Sequence, residues 1–388
     1  MSTPSPAPFV LDTHAHHVGA HAVERIKEEG AAHRVRLVTE EAAGKQITRV
    51  EVAGRRSGLP LIPQLSDVRG RLAWMAAAGV DAQLVAPWMD LAGYELDPDD
   101  GLWLARVQND SAAELRATDE RFLVAAAVPL QHPAYAAAEL RRAVTQLGHV
   151  AVQIGARVND LGLDDPSLQP FWDAVEELDV PVIVHPAELD VPERSRRLFL
   201  HILVGNPSET TFAVAALTLG GVLERHPGLR VLLVHGGGFV PYQIGRLERG
   251  FTAAPPQFRA RGARSPRELV GRLFFDTVLH DEQALRHLVD FAGPARVVLG
   301  SDYPFPMRED RPVEAYDALR PDTESRTTVL SAAHLFADAA ATAPGREQPD
   351  PSHPEGPDSG VTAVSRSPRS PSSRTAPPPP APGAGSTG

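Results

Sequence analysis

Short apolar runs recur along most of the chain, at 9–11, 80–86, 122–128, 150–154, 180–184, 230–234, 272–275 and 296–299. Each has the length of a buried strand, and helix-compatible stretches lie between them at 67–78, 110–117, 134–146, 168–178, 211–225 and 282–291. Such alternation predicts a parallel sheet with crossover helices. Eight strands are the number that closes a (β/α)8 TIM barrel, so the fold class read here is α/β. The first connection breaks the pattern. Residues 34–40 and 47–52 alternate in strand fashion around 41–46, which predicts a small hairpin after strand one, within an insertion of about 20–66, over the barrel mouth.

From about residue 343 the composition turns to Pro, Ser, Gly and Arg, with four consecutive prolines at 377–380. Such a segment has too little apolar surface to offset its ordering entropy, so 1–342 is read as the barrel domain and 343–388 as a disordered tail. The net charge of −11 carries no basic footprint for nucleic acid. The sequence has no cysteine, which excludes disulfides and thiolate ligands. No charged-then-apolar leader or membrane-length apolar run is present, so the expectation is a cytoplasmic protein without membrane or nucleic-acid partners.

The chemistry gathers where strands end. Strand one runs into Asp12-Thr13-His14-Ala15-His16, and two residues apart on a strand point to one face, so His14 and His16 form a pair. Strand five ends in His185-Pro186, strand six in His235-Gly236-Gly237-Gly238, and strand eight in Gly300-Ser301-Asp302-Tyr303-Pro304. In a barrel of this type the C-terminal strand ends form the active site. A lone histidine after a strand is ordinarily structural, but four strand ends agreeing on His, His, His and Asp are not. His14, His16, His185 and Asp302 are therefore the expected ligands of one divalent metal ion, Zn2+ first and Mn2+ next. His235 is either a fifth ligand or, as an unligated neighbour, the group that transfers a proton. Strand four ends in Val152-Gln153-Ile154-Gly155, without the bridging group a second metal needs.

These segments resemble the amidohydrolase superfamily, and more closely its metal-dependent decarboxylases, the 2-amino-3-carboxymuconate 6-semialdehyde decarboxylases among them. The likeness rests also on Gly205-Asn206-Pro207-Ser208-Glu209-Thr210-Thr211, His235-Gly236-Gly237-Gly238 with Arg246 beyond it, and Asp302-Tyr303-Pro304-Phe305-Pro306. It implies a carboxy-lyase that decarboxylates an aromatic or muconate-type acid without an oxidant, with a metal-bound water, His235 as acid/base and Asp302 at the catalytic centre. It further implies substrate contacts from Phe305 and two arginines, Arg246 reaching a neighbouring subunit of a homodimer and Arg49 on the hairpin. Ala187 and Ile202 stand where the muconate enzymes carry tryptophans, which points to a different substrate. A metal-dependent hydrolase of a lactone or amide would use the same residues, and a non-catalytic relative would keep only the fold. Trp74, Trp88 and Trp172 read as packing residues, and Asp276, at the end of strand seven, as a support for the metal ligands.

Overall fold

Eight strands pair in parallel, in chain order: β1 (Leu11–His17), β2 (Ala82–Pro87), β3 (Phe122–Ala126), β4 (Ala151–Gly155), β5 (Val182–His185), β6 (Val231–Leu233), β7 (Phe274–Asp276) and β8 (Val297–Val298). The computed structural model describes residues 8–42, 44–187 and 193–336, so the expected tail at 343–388 lies outside the described residues. The sheet closes on itself. Thr13 N–H donates to Leu299 O at 2.8 Å, Asp302 N–H to His14 O at 2.8 Å and His16 N–H to Tyr303 O at 2.7 Å, joining β1 to the chain just past β8. The (β/α)8 barrel expected from the eight apolar runs is the observed architecture.

Alternation along the strands divides the core in two. Leu11, Leu84, Ile183, Leu232, Phe274 and Val298 pack together as one cluster, while Val182, Val184, Val231, Leu233, Phe275 and Val297 pack outward in a second cluster with the helices. Since β5 alternates, His185 shares the face of Ile183 and points inward. β1 needs one more device. Between Asp12 and Ala15 its register on β2 advances by three residues against two, a bulge that brings His14 and His16 to the inner face.

The hairpin arms, Val35–Ala42 and Lys45–Val52, pair antiparallel with Val38 opposite Arg49. Val35, Val50 and Val52 pack on the helix Ala20–Glu28 and on Trp88 and Phe305. Two helical stretches differ in extent from what their apolar pattern suggested. The one at 110–117 is the last part of Pro98–Thr118, whose first turn carries Pro98, Asp99 and Asp100, a start signal favoured by the helix dipole. The one at 211–225 starts five residues earlier, as Asn206–Leu219, and Gly221 at φ 75° separates it from the short turn Val222–Arg225.

Candidate metal centre

Five side chains from four strand ends converge. Ligand atoms of His14, His185, His235 and Asp302 all lie within 4.8 Å of one another. His16 Nε2 sits 3.3 Å from His14 Nε2 and 3.1 Å from Asp302 Oδ1.

The far side of each ring sorts these histidines. His14 Nδ1 donates to Asp276 Oδ2 at 2.6 Å, His16 Nδ1 to the Pro87 carbonyl at 3.1 Å and His185 Nδ1 to the Pro186 carbonyl at 2.7 Å. Those oxygens only accept, so each Nδ1 carries the proton and each Nε2 turns a lone pair inward. His235 differs: its Nδ1 is buried without a hydrogen-bond partner, and its Nε2 lies 3.8 Å from Asp302 Oδ2. Asp302 Oδ1, also buried, has two imidazole nitrogens nearby yet no hydrogen bond. Lone pairs facing a carboxylate oxygen with no proton between them are the donor set a divalent cation fits.

The electrostatics agree at Asp302, His185 and His16. Burial opposes ionisation of Asp302, but His14, His16 and His235 outweigh it and hold the carboxyl well below the usual carboxylate range. Burial, reinforced by the other imidazoles, pushes His185 well below an ordinary histidine, and burial foremost lowers His16. Both are therefore neutral, the form in which imidazole binds metal. At His14 burial is overcome by the carboxylates of Asp302 and Asp276, which raise its pKa.

Backbone geometry places the two remaining groups. His235 and Asp302 adopt left-handed φ of 54° and 62°, a conformation that costs free energy in non-glycine residues and persists where the surroundings impose it. After His235 the chain turns through Gly237 at φ 77°, where a Cβ would come within 2.6 Å of the Phe275 ring. Only glycine fits there.

The cluster opens into a cavity of about 380 Å³ with Trp88, Met89, Phe199, Ile202, Phe239 and Phe305 among its walls. Phe305 lies 5.2 Å from the His16 ring and 5.8 Å from Trp88, and Trp88, buried in the core as its packing reading expected, also forms a wall of the site. Asp276 supports His14 as its position suggested. Arg49 is not brought to the cavity. Its Nε donates to Glu40 at 2.7 Å and its Nη1 to the carbonyls of Ser57 and Gly58, because a guanidinium on this hairpin finds acceptors within the hairpin itself. Leu59, in the segment that follows the hairpin, forms part of the walls. Arg246 is exposed on the helix Val240–Ala253 and lines no part of the cavity of its own chain.

Residues 12–335 match the model of a family described as amidohydrolase. The chain belongs to the amidohydrolase family. Among curated relatives, the 2-amino-3-carboxymuconate-6-semialdehyde decarboxylase of Dictyostelium discoideum is 38% identical over 247 residues, 63% of this chain and 69% of the relative. The crystal structure of 5-carboxyvanillate decarboxylase from Sphingomonas paucimobilis superposes with a TM-score of 0.71 at 24% identity, covering 85% of this chain and 99% of the other. A dihydroxybenzoic acid decarboxylase from Polaromonas sp. JS666, solved with bound manganese and the inhibitor 2-nitroresorcinol, superposes with a TM-score of 0.66 at 20% identity over 85% of this chain and 97% of the other. These structural likenesses establish the barrel. Family and donor set together make the cluster a site for a divalent metal ion.

Proposed function

We propose that the protein is a metal-dependent, non-oxidative decarboxylase of a carboxylic acid whose carboxylate sits on an aromatic or enoic carbon. The observation that carries the reading is the sorting of the histidines: three with their outer nitrogens engaged and inner lone pairs converging on Asp302, and one, His235, with its outer nitrogen free. His14, His16, His185 and Asp302 would hold the cation, and His235 would act as acid/base. The donor set of three imidazoles and a carboxylate favours zinc, with manganese the alternative that the Polaromonas relative carries.

When bound, the cation supplies Lewis-acid polarisation of a substrate oxygen. The protein's own residues do the rest. Loss of CO2 leaves the bonding electron pair on the ring or enoic carbon, which must take up a proton. His235 would deliver it from Nε2, which lies 3.8 Å from Asp302 Oδ2. The apolar walls exclude water, and Phe305 orients a flat substrate against the His16 ring.

The proposal includes a homodimer. Tyr242 and Arg246 are four residues apart on one helix face, Tyr242 is 82% exposed, and exposed Phe212 and Phe239 are further candidates for the same contact. In the dimer Arg246 would reach the substrate of the neighbouring copy. No helix among the described residues is long and apolar enough to cross a membrane, and the proposal extends to a cytoplasmic location, which cell fractionation tests.

The deciding experiment measures CO2 release from carboxylated aromatic and enoic acids by protein reconstituted with zinc or manganese, alongside a panel of lactones and amides. His235→Ala should abolish CO2 release with metal content unchanged. Full turnover in that variant, or hydrolysis without CO2 release in the parent, would overturn the reading.

A further inference from the structure

The cavity walls bear on which acid enters. Among the described residues that line it, none is a lysine or an arginine. Leu59, from the segment that follows the hairpin, lines the cavity that the resemblance led one to expect Arg49 to reach, and Ile202 and Phe199 continue the apolar surface from the segment after β5. Arg55 touches the lining residue Asp90, with Nη1 3.4 Å from Asp90 Oδ1, but it also pairs with Glu95, so both neighbouring carboxylates already balance its charge. Arg194, Arg196 and Arg197 precede Phe199 and are exposed rather than lining.

A carboxylate transferred from water into such walls has no lysine or arginine to meet, and an unpaired ionised group in a low-dielectric site is strongly disfavoured. One carboxylate is provided for. It faces the metal centre and His235, and a dimer would add a single Arg246. A second carboxylate on the same molecule would face walls that are mostly apolar and, among the described residues, hold an acid, Asp90, but no lysine or arginine.

We propose that the site selects monocarboxylic acids whose remaining body is uncharged and apolar, and that Leu59 and Ile202 are specificity-determining residues that exclude a second carboxylate. This rests on the decarboxylase reading only for what happens to the bound acid. The binding preference stands without it. Asn206 and His280 are polar groups in the lining able to take up a hydroxyl or carbonyl on the substrate.

The test uses full-length, manganese-loaded protein and matched pairs of ligands: hydroxybenzoates with an alkyl substituent, and the same compounds with that alkyl group replaced by a carboxylate. Calorimetric titration should show the monocarboxylates binding on the order of 100-fold more tightly. Leu59→Arg should narrow or invert that ratio by improving the dicarboxylate, and Ile202→Arg repeats the test from another element should the segment of Leu59 not tolerate the charge. Equal or tighter dicarboxylate binding by the parent, binding of neither class, or ratios unmoved in both folded variants would overturn the inference. Monocarboxylates that bind with the expected preference but release no CO2 would leave it standing and overturn the decarboxylase reading instead.

Discussion

Asp276 offers a test of the metal centre at a residue that would not itself touch the metal. Its side chain is fully buried, and its two oxygens have different tasks. Oδ1 accepts from Gly236 N–H at 2.8 Å and Val278 N–H at 3.2 Å, whereas Oδ2 accepts from His14 Nδ1 at 2.6 Å. In Asp276→Asn the two backbone donors keep the amide oxygen at the Oδ1 position. The NH2 group must then face His14 Nδ1, which becomes an acceptor and sends its proton to Nε2, toward the place the cation occupies. His14 would have to break that bond or lose its ligating lone pair. Changes to such supporting partners cost roughly 10- to 100-fold in metal affinity, about 1.4–2.7 kcal/mol. Competition against a chromophoric zinc chelator measures this directly. Affinity within about twofold of the parent, in a variant whose circular dichroism is unchanged, would refute the tautomer argument.

Other consequences can be checked with ordinary measurements. His149 is buried with neither ring nitrogen bonded, and burial lowers its pKa to about 4. The unfolded chain protonates it near 6.5, so its contribution is full above that pH and is lost between about 6.5 and 4, by about 3 kcal/mol. His149→Leu should flatten that part of the difference in urea stability between pH 7 and pH 4.5, and an unchanged difference would remove His149 as its source. Gly237→Ala should lose activity and about 2 kcal/mol or more of stability, since the new Cβ meets the Phe275 ring at a left-handed φ. Melting at parental temperature would show that the turn adapts. Dialysis against chelator should lower the melting temperature, and excess zinc or manganese should restore it, with about 4 kcal/mol expected at a thousandfold the dissociation constant. An identical melt with and without metal would contradict the convergence of lone pairs described above.

The barrel was legible because a strand buried on both faces is a short apolar run, and eight such runs occur in one chain. The cluster of histidines and an aspartate was legible for a related reason: polar residues at the ends of such runs have no packing role to explain them. What the runs did not reveal depends on contacts distant in sequence. The bulge in β1 is a register against β2. The loss of Arg49 to Glu40 and two carbonyls, and the arrival of Leu59 at the cavity, depend on how the hairpin folds back. Trp88 looked like packing because a large aromatic next to a strand end is compatible with either role. The helix Val240–Ala253 went unread because Pro241, Gly245 and Gly250 are poor helix formers and its exposed face carries Tyr242.

The seam of the barrel explains why the metal centre and the fold are one construction. Asp12 is completely buried and accepts from Ser301 N–H at 3.0 Å, Ser301 Oγ at 2.5 Å, Gln83 Nε2 at 2.7 Å and its neighbour His14 N–H at 3.1 Å. Buried Arg71 then reaches Gln83 Oε1 at 2.6 Å and the His16 carbonyl at 2.5 Å. Burial raises the Asp12 pKa against these hydrogen bonds, so the network is a costly one to maintain in a core. Its geometry gives the reason. Asp12 and Ser301 lie on opposite sides of the closure between the first and last strands, two residues before His14 and one before Asp302. A bond there sets the separation of ligands that are far apart along the chain. The aspartate that opens the Asp-Thr-His-Ala-His stretch is thus the clamp of the site and not one of its ligands, and the cation's donors come into register only when the barrel closes.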